Sequence, residues 1–287
     1  MLTEAKQFVN WAYLRNPSAR TWKDYSYDLK LFMQIVGDKP VQEISIRDID
    51  RFIEVQSERG AKPRTINRRV KTVSSLFSFL AAELQNLVNP VIPKRHLLRT
   101  PQRLPRPVPQ VDQELFFGVI KDPRDKAIFT LMLRCGLRIA EVAGLKIENL
   151  YLKEAKPRMQ VFGKNAKERT VYLSSQALTL LKAYLAVRPV VEDGHVFLSY
   201  QLKGLSTTAI HQHLVKYRDL ACVKLTAHQF RHSFGCNLIQ ERVPLITVQK
   251  LMGHSWVQTT MNYVQVNDPE VEDDFFAATH RMEGWQG

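Results

Sequence analysis

Thr226-Ala227-His228-Gln229-Phe230-Arg231-His232 opens an apolar-periodic stretch, Leu225 to Val264, around which the rest of the chain is organised. Later in it comes Leu251-Met252-Gly253-His254-Ser255-Trp256, and Tyr263 stands nine residues past His254. His228 and Arg231 are three apart, so on a helix they share one face and converge on one target. Working outward, Arg138 lies in Gly136-Leu137-Arg138-Ile139-Ala140-Glu141 and Lys164 in Val161-Phe162-Gly163-Lys164-Asn165-Ala166-Lys167-Glu168-Arg169. A basic pair, a further imidazole and a tyrosine beyond it point to phosphoryl transfer with tyrosine as nucleophile.

The chemistry asks for these residue types. Substitution at a phosphodiester spreads negative charge over the non-bridging oxygens. Two guanidiniums, Arg138 and Arg231, stabilise it through permanently charged, bidentate hydrogen bonds. A tyrosine hydroxyl titrates near ~10 and needs a base or an electropositive pocket, and His228 is the candidate to take its proton. Taken alone, Tyr263 would read as an ordinary aromatic, no more eligible than Tyr172 or Tyr217. Arg138 alone would read as an exposed cation paired with Glu141.

Taken together, the five boxes resemble the tyrosine recombinase (phage integrase) family, with the Xer-type members nearest in size and layout. The family signature is a Gly-Leu-Arg box, a Gly-Lys hairpin, a His-x-x-Arg-His box, a Gly-His dipeptide and a Tyr nine residues on. The resemblance implies a mainly α fold. It comprises an N-terminal four-helix SAM-like DNA-binding domain and a C-terminal α-rich catalytic domain with a small antiparallel β-sheet. It implies a 3′-phosphotyrosyl link at Tyr263 and a free 5′-hydroxyl. Lys164 then serves as general acid and His254 as a donor to a non-bridging oxygen. Glu141 is expected to orient Arg138 and His232 to support Arg231. Lys167 and Arg169 share the hairpin and are alternative acids. His228 and His232 have metal-ligand spacing, but a zinc hydrolase would want Glu at position 229, which is Gln, so no metal or cofactor is expected.

At 287 residues and 45% hydrophobic, the chain has room for two domains and a sizeable core. No apolar run approaches the ~18 residues of a membrane span, and Lys6 and Asn10 interrupt the start, so a cytoplasmic, nucleoid-associated protein is expected. Cys135, Cys222 and Cys236 have no metal-like spacing and read as buried thiols. The net charge of +13 calls for a polyanion partner, and residues 1–110 are the more basic part, with 19 Lys and Arg against 10 Asp and Glu.

Helical stripes fill the first part: Ala5, Phe8, Val9, Ala12 and Tyr13; Trp22, Tyr25, Leu29, Leu31 and Phe32 after a cap at Ser18; Ile49, Phe52 and Ile53 after Ser45 and Asp48; and Ile66 to Leu80 from Thr65. Arg64, Asn67, Arg68, Arg69 and Lys71 beside a Pro63 turn are candidate phosphate contacts. Six prolines between Pro90 and Pro109, interleaved with Lys94, Arg95, Arg99, Arg103 and Arg106, predict an extended basic strap that tracks a duplex. Beyond it the pattern predicts helices over 112–119, 124–135, 175–186 and 207–217, and strands over 149–152, 158–162 and 170–173.

The division expected is residues 1–88 as DNA-binding domain, 89–110 as linker and 111–287 as catalytic domain with a tail over 265–287. The family precedent is a tail docked on a neighbouring protomer. The expected partner is double-stranded DNA with a pseudo-palindromic core site, bound by a C-shaped clamp as a homodimer and recombined by a homotetramer through a Holliday junction. An accessory or directionality protein is compatible with this scheme. A type IB topoisomerase-like enzyme and a binding-only architectural protein remain the alternatives, and the biological role stays open among resolution, integration and excision.

Overall fold

Four amphipathic helices account for most of the first hundred residues: α1 (Leu2–Arg15), α2 (Thr21–Val36), α3 (Ile46–Glu58) and α4 (Pro63–Leu80). The computed structural model describes residues 1–17, 19–101, 106–163 and 168–253. The chain forms two units, Met1–Gln102 and Arg103–Gly287. In the first, Phe8, Leu29, Phe32, Ile49, Phe52, Ile66, Val70, Val73, Leu76 and Phe77 are all but inaccessible to water. Each such aliphatic or aromatic side chain contributes roughly 1.5–3 kcal/mol on burial. Ser45 and Asp48 close a capping box at the start of α3, where Asp48 Oδ2 accepts from the Ser45 amide and hydroxyl, both at 2.9 Å.

Several expectations are corrected. Arg20, not Ser18, holds the cap position of α2, and Ser18 lies outside the described residues. Pro63 is the first residue of α4 rather than a turn before it, because its missing N–H costs nothing there. Tyr13 is exposed. The strap predicted over 89–110 is not uniformly extended: Pro93 starts a single helical turn, α5 (Pro93–His96). Residues 89–101 pack as part of the first unit. Asn67 exchanges two 2.8 Å hydrogen bonds with the backbone of Leu98, and Arg95 forks onto Asp50 at 3.0 and 2.7 Å.

The second unit is built on α7 (Pro123–Arg134), whose residues Ala127 to Leu133 are all buried. Around it lie α6 (Gln110–Gly118), α8 (Ile139–Ala143), α9 (Ser175–Val187), α10 (Thr207–Leu220), α11 (Ala227–Gln240) and α12 (Leu245–Met252). Phe116 joins α6 to α7 and α11 through edge-to-face contacts with Phe129 and Phe230 at 5.2 and 5.3 Å. The sheet is antiparallel in order β1 (Leu150–Tyr151), β2 (Arg158–Phe162), β3 (Glu168–Tyr172). Met159, Val161 and Val171 point into the core, and the β2–β3 register pairs Val161 with Arg169 and Phe162 with Glu168. Cys135 and Cys236 are buried, which raises both thiols to about 11, but Cys222 is exposed, against expectation. Among the described residues no helix is long and apolar enough to cross a membrane.

Candidate active site

The site begins at a chain reversal. Gly136 ends α7 with φ of +65°, a conformation open to glycine, and a Cβ there would overlap the ring of Phe234 on α11. This close approach lets the Arg231 guanidinium, rooted one turn before Phe234, donate to the Gly136 carbonyl. Its other arm donates to the Met252 carbonyl at the end of α12. Arg231 is 1% exposed, the largest fully buried side chain among the described residues. A buried guanidinium needs such acceptors, and both here are main-chain oxygens.

Arg138 is the cap residue of α8, one position before the helix on which the sequence pattern placed it. Its amide donates to Glu141 Oε2 at 2.9 Å and its Nη1 to Oε1 at 2.8 Å, while the arginine side chain keeps 41% of its surface open. Glu141 is buried. Desolvation pushes its carboxyl up, but Arg169 and then Arg138 outweigh it and hold the group below the usual range. Glu141 therefore stays ionised and orients Arg138.

Thr226 caps α11, its hydroxyl accepting from the Gln229 amide, and this presents His228 and Arg231 along one face of the first turns. Arg138, His228 and Arg231 line one cleft of about 300 Å³ together with Leu137, Ile139, Ala140 and Ala227. His228 stands at its rim with much of its surface open. Even so, partial desolvation of its ring, then Arg231 and Arg138, hold the imidazole below the usual histidine range. His228 is thus neutral and able to accept a proton at neutral pH. His232 packs edge-on against it at 4.2 Å between ring centres. Burial, then His228 and Arg231, lower His232 to about 4. Lys164, His254 and Tyr263 lie outside the described residues, as does Arg103.

Periodicity and motif spacing passed over one residue here. Arg169 on β3 donates to Glu141 Oε2 at 2.9 Å and to the Leu251 carbonyl. It is therefore engaged in the protein's own scaffold, which corrects its reading as an alternative acid. Strand alternation held the signal: Arg169 is two residues from buried Val171 and opposite buried Val161, hence on the inward face.

The predicted DNA contacts sort into two kinds. Arg64, Arg68 and Lys71 line one groove of the first unit with Thr21, Thr65 and Thr100, and Lys94, Arg99 and Arg106 are exposed. Arg68 also forks onto the fully buried Asp28 at 2.5 and 2.8 Å, while Thr72 donates to the same carboxylate at 3.0 Å. Arg69 is corrected: it turns inward to Gln56 and Asp28 and is only 15% exposed. Asn67 and Arg95 hold the strap.

A cleft of two arginines and a histidine held below its usual range, in a helical unit with a three-stranded sheet, suits phosphoryl transfer on an anionic substrate. Residues 114–270 match the phage integrase family, and residues 6–84 match the phage integrase N-terminal SAM-like domain. The chain belongs to the phage integrase family and is a tyrosine recombinase. It is 31% identical to tyrosine recombinase XerC of Caldanaerobacter subterraneus subsp. tengcongensis, over 93% of this chain and 84% of the relative. It is 30% identical to tyrosine recombinase XerA of Pyrococcus furiosus, over 93% and 91%. The fold is that of the XerH site-specific recombinase bound to its palindromic difH substrate in a post-cleavage complex. That match has a TM-score of 0.75 and 21% identity over 92% of this chain and 80% of the other. A lambda integrase dimer bound to a COC′ core site matches with a TM-score of 0.73 and 15% identity, over 92% and 94%.

Proposed function

We propose that the protein cleaves and rejoins DNA at a defined site through Tyr263. The hydroxyl attacks a phosphodiester whose non-bridging oxygens are held by the accessible Arg138, while Arg231, buried and braced on the Gly136 and Met252 carbonyls, adds its charge behind the same cleft. The P–O bond to the 5′-oxygen breaks, leaving a 3′-phosphotyrosyl link and a free 5′-hydroxyl. His228 takes the tyrosine proton, Lys164 gives one to the leaving oxygen, and His254 donates to a non-bridging oxygen. The covalent link conserves the bond energy, so a second 5′-hydroxyl can reverse the step on an exchanged strand without a nucleotide cofactor.

The observation that carries this reading is the shared cleft of Arg138, His228 and Arg231, with one arginine accessible and the imidazole neutral. Residues 1–88 and the basic segment 89–110 bind the duplex through Arg64, Arg68, Lys71, Lys94, Arg99, Arg103 and Arg106, and residues 111–287 carry the chemistry. Two protomers occupy a pseudo-palindromic core site and four exchange strands in two rounds through a Holliday junction. The tail, 265–287, links neighbouring protomers, and the protein works on nucleoid DNA.

The test is a denaturing gel of labelled, nicked suicide duplexes drawn from DNA flanking the gene, run with wild type and Tyr263→Phe. Wild type is expected to give a slow covalent adduct and Tyr263→Phe none, with equal retention of DNA. An adduct with Tyr263→Phe would overturn the nucleophile assignment.

A further inference from the structure

We infer that Arg169 is a positioning residue that locks the β2–β3 hairpin, the Arg138 box and the end of α12 into one frame, and so sets the geometry of cleavage. This inference rests on the recombinase reading of the site. Three observations carry it. Arg169 is a cation on the apolar face of β3, opposite Val161 and only 11% exposed, so it is placed to serve the interior rather than a phosphate. Its guanidinium spans two elements distant in sequence, Glu141 on α8 and the Leu251 carbonyl on α12. Finally, Gly253 is left-handed at φ +58°, and a Cβ there would sit 2.6 Å from Arg169 Cδ, so the glycine of the Gly-His box makes room for this side chain.

The consequence is a closed circuit. Arg138 is held by Glu141, and Glu141 by Arg169. Arg169 holds Leu251, and the neighbouring Met252 carbonyl is held by Arg231. Both arginines of the cleft are thereby referenced to one point, the residues directly before Gly253-His254. In sequence the same side chain follows Lys164 by five residues. Lysine in place of Arg169 supplies charge but not a planar fork, and cannot hold both partners in that geometry.

Wild type, Arg169→Met, Arg169→Lys, Glu141→Gln and the Arg169→Met/Glu141→Gln double variant are compared on the labelled suicide duplexes from pH 5.5 to 9. Adduct rate and DNA retention are measured separately. Arg169→Met is expected to slow adduct formation at pH 7 at least 30-fold with retention within twofold, and Arg169→Lys to recover part of the rate. With Arg169 gone, Glu141 loses the charge partner that most lowers it, so its carboxyl rises and the acid limb of the pH–rate profile moves to higher pH. In the double variant, with no carboxyl there, the limb returns to the one that His228 sets. A purely structural side chain would not move that limb. A rate for Arg169→Met within threefold of wild type, or an unmoved limb, overturns the inference.

If wild type itself forms no adduct, the recombinase reading fails, and amide hydrogen exchange then decides the Arg169 question without DNA. Arg169→Met is expected to speed exchange in the last turn of α12 at least tenfold, with the Arg169→Lys variant in between as a folded reference. Unchanged exchange there overturns the coupling.

Discussion

Phe234 fills the space in which Gly136 would carry a side chain, so the reversal after α7 and the middle of α11 are fitted to each other. Gly136→Ala forces an L-residue to φ +65° and drives its methyl into the Phe234 ring. A loss of about 2–4 kcal/mol is expected in urea unfolding, from left-handed strain and overpacking together. Gly144→Ala is the control: Gly144 has an ordinary backbone and its Cβ would meet only the Ala140 carbonyl at 3.3 Å. Its cost is expected to stay below ~1 kcal/mol. Because the Gly136 carbonyl accepts from Arg231, Gly136→Ala also lowers the adduct rate where the protein is still folded.

Acid weakens the fold through His232. Its folded value of about 4 lies below the open-chain value of 6.5. Between the two, the unfolded chain binds the proton more readily, so the stabilising difference is complete above 6.5 and is lost as pH falls from there towards 4. The ceiling is about 3 kcal/mol for that gap. Glu141, whose folded value is also depressed, adds to the loss at lower pH still. Urea midpoints at pH 7.5, 5.5 and 4.5 are expected to fall, and His232→Gln to flatten the upper part of that fall. Equal slopes in the two proteins would remove His232 as the cause.

Cations on α4 divide by partner. Arg64→Ala and Lys71→Ala should weaken binding to any duplex alike and reduce the slope of log affinity against log salt by ~1 each, with unchanged unfolding midpoints. Arg68→Met should weaken DNA binding in the same way and in addition cost about 3 kcal/mol of stability, since it leaves the buried Asp28 carboxylate with Thr72 and a more distant Arg69. Salt titrations of DNA retention and urea unfolding on the same three variants separate the two effects.

Asn67→Ala removes both hydrogen bonds that hold Leu98 against α4. A loss of about 1–2 kcal/mol is expected locally. Trypsin should then cut after Arg99 faster than in wild type while the rest of the first unit stays protected. An unchanged cutting rate would show that the Arg95–Asp50 pair holds the strap without it.

How much of this could be read beforehand depended on the range of the cause. Local chemistry was legible: Ser45 and Asp48 announced the start of α3, and alternation gave the limits of β2, Arg158–Phe162, without error. That Arg138, His228 and Arg231 share one cleft followed from the resemblance carried by their boxes taken together, since each alone reads as an ordinary polar residue. Position-dependent proline behaviour was harder. Pro63 and Pro93 were taken as breakers, whereas each supplies the first residue of a helix. Arg68 and Arg69 looked equivalent until the folded chain put a buried Asp28 between them. Strand alternation puts Arg169 on the inward face, but its partner carbonyl lies 82 residues away, a pairing that no periodicity encodes.

The oxygens that Arg169 and Arg231 grasp at the end of α12 belong to the main chain, and this bears on how the sequence can drift. A carbonyl is the same whatever side chain stands beside it, so residues 251 and 252 answer to core packing alone while the grip persists. What cannot vary is the helix ending at Gly253 and the two arginines that meet it. Chimaeras that exchange the segment after Gly253 with a relative's therefore inherit an intact anchor, whereas a splice one turn earlier would have to rebuild it.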